Sequence, residues 1–135
     1  MTIVFDSNVI ISAFITTTGP TKDVFLYCGE RYRVITSEYI INEVCEKLCH
    51  KLGFSKSESQ EVRTFLYQNT EVVESSFEVA DFSRDKKDNP VIALALFVKA
   101  DLLITGDKDL LSLKKVDGVK IIRPAEFWNE IRQVR

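Results

Sequence analysis

Short apolar runs of strand length alternate with longer segments of helical period along this chain, and that alternation limits its fold more than any other feature. TIVF (2–5), YRVIT (32–36), DLLIT (101–105) and VKII (119–122) are the strand-like runs, and EVVESSFEV (71–79) includes a further one. Between them, SNVIISAFI (7–15) reads as a helix entered through Ser7 or Asn8. PTKDVFLYCGE (20–30) has Pro20 in its first turn and Gly29 near its end. SEYIINEVCEKLCHKLGF (37–54) opens on a serine cap, carries Ile40, Ile41, Val44, Leu48 and Leu52 at helical spacing, and stops at Gly53. SKSESQEVRTFLYQNT (55–70) is a further helix, and NPVIALALFVKA (89–100) is apolar nearly all round, as a buried helix is. A helical turn at KDLLSL (108–113) and a last helix from Pro124 complete the chain. Strands separated by helices make βαβ units. The expected fold is therefore α/β, three layers with a mainly parallel central sheet, in one domain spanning residues 1–135.

Composition narrows the class of activity. Hydrophobic residues are 45% and charged residues 28%, as in ordinary globular proteins. No apolar run approaches the roughly 20 residues of a membrane helix. The start, MTIVFDSN, lacks the basic and apolar regions of a secretory signal, so the expected compartment is the cytoplasm. Cys28, Cys45 and Cys49 are then expected as free thiols. Net charge is −2, which does not announce a nucleic-acid binder. Basic residues do group locally, as at Arg84, Lys86 and Lys87, at Lys114, Lys115, Lys120 and Arg123, and at Lys47 and Lys51. No phosphate-cradling G-x-x-x-x-G-K-[ST] loop exists. The single histidine, His50, excludes a zinc site of several histidines.

The chemistry is carried by acids at strand ends. Asp6 follows the first strand directly, and Asp107 lies one glycine beyond LLIT. In open α/β sheets ligands bind beyond the carboxyl ends of the strands. If the two strands are parallel neighbours, both carboxylates converge there. Unpaired carboxylates a few ångström apart repel, so the site calls for a cation or a shared proton. A cluster of hard oxygen donors suits Mg²⁺ or Mn²⁺. Asp88, before the buried helix, belongs at the same rim. Glu43 falls outside the arc of Ile40, Ile41, Val44, Cys45 and Leu48, which fits a groove and plain solvent equally well. Each acid alone can be explained as a cap: Asp88 or Asn89 for the buried helix, Asp107 or Asp109 for LLSL. Capping explains neither Asp6, so close to its strand, nor the repetition at two strands. Asn8 and Thr105 are placed to orient the carboxylates by hydrogen bonds.

VFDSNVIISA, Glu43 in INEV, RDKKDNPVIALAL and KADLLITGDKDLL together resemble the PIN domain, especially the toxin subgroup of toxin–antitoxin pairs (VapC-like). The resemblance covers nearly the whole chain. It implies that Asp6, Glu43, Asp88 and Asp107 are catalytic residues and metal ligands, with Asp109 accessory and Asp85 the alternative to Asp88. It implies a Mg²⁺- or Mn²⁺-dependent endoribonuclease whose partners are an RNA substrate, an antitoxin protein and a second copy of the chain, as a homodimer or higher oligomer, with no membrane. Lys86, Lys87 and Arg84 are placed to meet phosphates, and Phe14 and Tyr39 to stack on unpaired bases. Two other classes compete: a Mg²⁺-dependent phosphatase, although Asn8 stands where the haloacid dehalogenase type has its second aspartate, and a non-catalytic module on the same scaffold. Cys45 and Cys49, followed by His50, read as core thiols rather than a soft-metal site, for want of a fourth ligand. Phe127, Trp128 and Ile131 are expected to pack on the sheet, or to form an association surface.

Overall fold

A computed structural model describes residues 1–74 and 89–134. The described elements run β1 (Thr2–Phe5), α1 (Ser7–Ile15), α2 (Pro20–Arg31), β2 (Arg33–Ser37), α3 (Glu38–Lys51), α4 (Lys56–Asn69) and β3 (Glu71–Val73). They continue with α5 (Asn89–Phe97), β4 (Leu102–Ile104), α6 (Lys108–Leu111), β5 (Lys115–Val116), β6 (Val119–Ile122) and, after a 3₁₀ turn at Pro124–Glu126, α7 (Phe127–Val134). The sheet order is β3-β2-β1-β4-β6-β5, parallel throughout except for β5. The α/β architecture with a mainly parallel sheet is therefore as the alternation requires.

Two features of this topology position the site. Chain order runs outward from β1 through β2 to β3, then returns to the other side of β1 with β4. The point of reversal lies between β1 and β4, where an open α/β sheet leaves its crevice. Register then aligns the ends: Phe5 pairs with Ile104, so Asp6 and Thr105 leave the sheet side by side. The Asp6 amide donates to the Ile104 carbonyl at 2.9 Å, carrying the ladder one residue past the strands.

Local chemistry explains where the helices begin. Ser37 caps α3 by accepting from the Ile40 amide at 3.2 Å. Ser55 and Glu58 form a reciprocal capping box on α4. Pro20 occupies the first turn of α2 after Gly19, whose φ of 138° favours glycine. The core lies between sheet and helices, where Ile3, Leu103 and Ile104 share one cluster with Ile41, Leu48, Ile92 and Leu94, all fully buried. From α5, residues Val91–Ala95 are buried while Phe97 is exposed, so its apolar circumference is covered for only part of its length.

The structure departs from the sequence reading in places. Lys115–Val116 forms an antiparallel edge strand with β6, and Asp117 (φ 46°) and Gly118 (φ 88°) make its turn. Two residues of strand carry no periodicity to read. The second strand is shifted one residue later, to Arg33–Ser37, because Ser37 both ends the ladder and caps α3. Phe127 is fully buried but packs in an aromatic cluster with Tyr27, Tyr32 and Trp128, centroids 4.9–6.3 Å apart. The last helix is thus anchored to α2. Among the described residues no helix is long and apolar enough to cross a membrane, and the three cysteines are free.

Candidate active site

Asp6 stands at the N-cap position of α1, yet its side chain makes no capping bond. The first amides of the helix are met instead by its backbone carbonyl, which accepts from Val9 and Ile10 at 3.1 and 3.2 Å. Neither Ser7 nor Asn8 is the cap. The carboxylate is released for other contacts, and with 2% of the residue exposed it must find them inside the protein. Thr105, wholly buried at the end of β4, donates its hydroxyl to Asp6 Oδ2 at 2.7 Å. The same hydroxyl accepts from the Asp107 amide at 3.0 Å, so one side chain ties both acid-bearing loops together.

Asp107 is a cap as well. It precedes α6, and its Oδ1 accepts from the Leu110 amide at 3.0 Å. A carboxylate offers about four lone-pair sites, so capping leaves it with further capacity. Glu43, on α3, is partly buried and accepts a hydrogen bond from the Ser7 hydroxyl. It therefore faces the α1 N-terminus.

These acids act on one another electrostatically. Burial pushes the Asp6 carboxyl above the ordinary aspartate range. The Thr105 hydroxyl and the Ser7 amide oppose that push, while the negative charges of Glu43 and Asp107 add to it. The result is a buried carboxylate beside two others, an arrangement that a cation stabilises. Among the described residues, no three acid, cysteine or histidine side chains are gathered closely enough to hold a metal ion by themselves. The electrostatic coupling shows that the three share a neighbourhood. The donors are hard oxygens, and their chemistry fits Mg²⁺ or Mn²⁺.

Of the remaining expected residues, Asp88 and Asp85 lie outside the described residues, as do Arg84, Lys86 and Lys87. Asp109 sits in the first turn of α6, partly buried, and its carbonyl accepts from the Ser112 hydroxyl at 2.7 Å. Thr105 orients a carboxylate as expected. Asn8 does not: it accepts from Lys47 at 3.2 Å. Phe14 is partly buried, with its ring packed edge-on against Phe25 and Phe65 at 6.1 and 5.4 Å. Tyr39 remains 47% exposed, one helical turn before Glu43. Cys45 is buried against the Ser59 carbonyl, as a core thiol.

Sequence reasoning misses the part played by two polar residues here. It offers Ser7 as a cap, whereas the Ser7 hydroxyl serves Glu43. It offers Lys47 as surface charge, whereas the ammonium reaches Glu43 Oε1 at 3.9 Å. The Glu-x-x-x-Lys spacing is the available signal for that ion pair.

A groove of about 250 Å³ between α2 and α4 is lined by residues including Phe25, Leu26, Val34 and Phe65. Glu30 lines it, but Asp6, Glu43 and Asp107 do not.

Comparison with known proteins agrees with this fold. The chain is 30% identical to the uncharacterized protein MJ1680 of Methanocaldococcus jannaschii, over 97% of this chain and 92% of that protein. Its fold is similar to a chain in the crystal structure of VapBC2 from Rickettsia felis bound to a DNA fragment from their promoter. That match has a TM-score of 0.67 at 11% identity, covering 90% of this chain and 97% of the other. The PIN domain family model matches residues 2–109, which include Asp6, Glu43, Thr105 and Asp107. The chain belongs to the PIN domain family.

Proposed function

We propose that the chain is a metal-dependent endoribonuclease acting at the β1–β4 rim, and that it serves as the toxin of a toxin–antitoxin pair. The observation that carries the reading is the tie from Asp6 through Thr105 to Asp107, a buried carboxylate held beside a second acid with Glu43 nearby. Asp6, Glu43 and Asp107 are the described residues that would hold Mg²⁺ or Mn²⁺, with Asp88 the fourth ligand. A bound divalent ion supplies an activated water and charge stabilisation for phosphodiester hydrolysis.

The protein's own groups do the remainder. Thr105 fixes the Asp6 carboxylate and, by accepting from the Asp107 amide, the loop that follows β4. Asp6 is screened from solvent, so its charge acts in a medium of low polarity. Glu43, partly open and anchored by Ser7, is placed to take a proton from the attacking water. No nucleophilic side chain is needed.

The partner reading rests on the family and on the likeness in fold to VapBC2. The proposed partners are an antitoxin protein and a second copy of the chain.

The test is cleavage of a single-stranded RNA with Mn²⁺ by wild type, Asp6→Asn and Asp107→Asn. Cleavage by wild type alone, abolished by chelator, is the expected result. Equal activity in all three rejects the site, and activity surviving chelator rejects metal chemistry. Hydrolysis of a small phosphate ester without RNA cleavage would transfer the site to the phosphatase class.

A further inference from the structure

We propose that Lys47 is a positioning residue for Glu43, and that its charge tempers how tightly the acidic rim grips a divalent cation. The inference rests on the metal-site reading above and deepens it. Lys47 and Glu43 lie four residues apart on α3, with Nζ 3.9 Å from Glu43 Oε1. The ammonium is tethered on its other side by Asn8 Oδ1 at 3.2 Å, on the exposed face of the first turn of α1. The Ser7 hydroxyl donates to the same Glu43 oxygen. The two side chains that follow Asp6 therefore both act on Glu43, Ser7 directly and Asn8 through Lys47.

This arrangement differs from a solvated surface pair. The Lys47 and Glu43 side chains are only 31% and 22% exposed, and the second tether fixes a lysine stem that would otherwise keep its rotamer freedom. Oε1 accepts the Ser7 hydroxyl and stands 3.9 Å from the Lys47 ammonium, a hydrogen bond and an ion pair on the same oxygen. The carboxylate is thus held from the α1 side and from its own helix. A positive charge this close also opposes a divalent ion drawn to the same carboxylate. Lys47 accordingly holds Glu43 in its working direction while weakening the site's hold on metal.

The experiment compares wild type, Lys47→Met and Lys47→Arg. Calorimetric titration with Mn²⁺ alone reads metal affinity without any activity, and steady-state cleavage of single-stranded RNA at saturating Mn²⁺ separates kcat from KM. Lys47→Met is expected to bind Mn²⁺ about fivefold more tightly, the factor that about 1 kcal/mol of screened charge interaction corresponds to. Its kcat should fall about tenfold with KM within twofold, as Glu43 loses its fixed direction. Lys47→Arg, which keeps the charge, should return both quantities to within twofold of wild type. A lysine that merely supports the fold would move neither, and unchanged affinity and kcat in Lys47→Met overturn the proposal. A rise in KM alone also overturns it, because Lys47 would then contact substrate. Wild type that binds no Mn²⁺ overturns the functional reading together with this one, whereas wild type that binds beside an unaltered Lys47→Met overturns this one alone.

Discussion

Thr105→Val tests the central tie directly. The substitution keeps the shape of the side chain and removes its hydroxyl at a wholly buried position. Two bonds are lost: donation to the Asp6 carboxylate at 2.7 Å and acceptance from the Asp107 amide at 3.0 Å. A hydrogen bond to a charged group contributes about 1.5–3 kcal/mol and a neutral one about 1 kcal/mol, so the cost is about 2.5–4 kcal/mol at neutral pH. For a chain of this length that is a fall in Tm of about 10 °C. The loss should depend on pH. Well below pH 3.8, the unperturbed aspartate value, the raised pKa of Asp6 leaves its carboxyl protonated, and the bond to Thr105 is then a neutral one. The cost should shrink to about 2 kcal/mol. Thermal unfolding followed by circular dichroism at both pH values measures this, with Thr105→Ser, which retains the hydroxyl, as the milder companion. A Tm change under about 3 °C at pH 7, or the same change at both pH values, would refute the reasoning.

Asp6→Asn should abolish cleavage yet stabilise the metal-free protein at neutral pH. Since the native pKa of Asp6 lies above 3.8, the folded state holds this proton more tightly than the unfolded one. The penalty of charging Asp6 is therefore absent well below pH 3.8 and complete once pH has risen past the native value. If the stability gained by Asp6→Asn over wild type fails to grow across that window, the assignment is contradicted. Saturating Mn²⁺ should raise the Tm of wild type and leave that of Asp6→Asn nearly unchanged, as read by a thermal-shift assay. Of the three cysteines, Cys49 alone should react with a thiol reagent in the native state: Cys45 is buried, and burial pushes the buried Cys28 thiol up to about 12. Rapid labelling of Cys28 without unfolding would mean that α2 is not packed as described. Leu66→Ala, in the wholly buried face of α4, should cost about 2–5 kcal/mol by denaturant unfolding while the folded fraction cleaves RNA at the wild-type rate.

Much of the fold was legible because strand and helix periods are local properties. TIVF, DLLIT and the capped segment from Ser37 each declare their state within a few residues. The parallel sheet follows, because helices between strands force crossovers. Asp6 and Asp107 were legible for the same reason, as acids one or two residues beyond strands. Asp107 shows the limit of such reading, since it is both the cap of α6 and a member of the acidic group.

What the sequence could not decide is which strands are neighbours and where partly exposed side chains turn. Only pairing of Phe5 with Ile104 puts Thr105 against Asp6, residues 99 apart in the chain. The direction of Glu43 is set by packing of α3 against α1, through Ser7 and Lys47, and helical periodicity leaves it open because a residue at the edge of a buried arc satisfies either environment. Phe14 lies partly buried against the core, where rings from α2 and α4 pack edge-on to it. Local sequence thus determined the elements and the acids at their ends. Long-range register and side-chain contact, which depend on residues far apart in the chain, decided which of those acids meet.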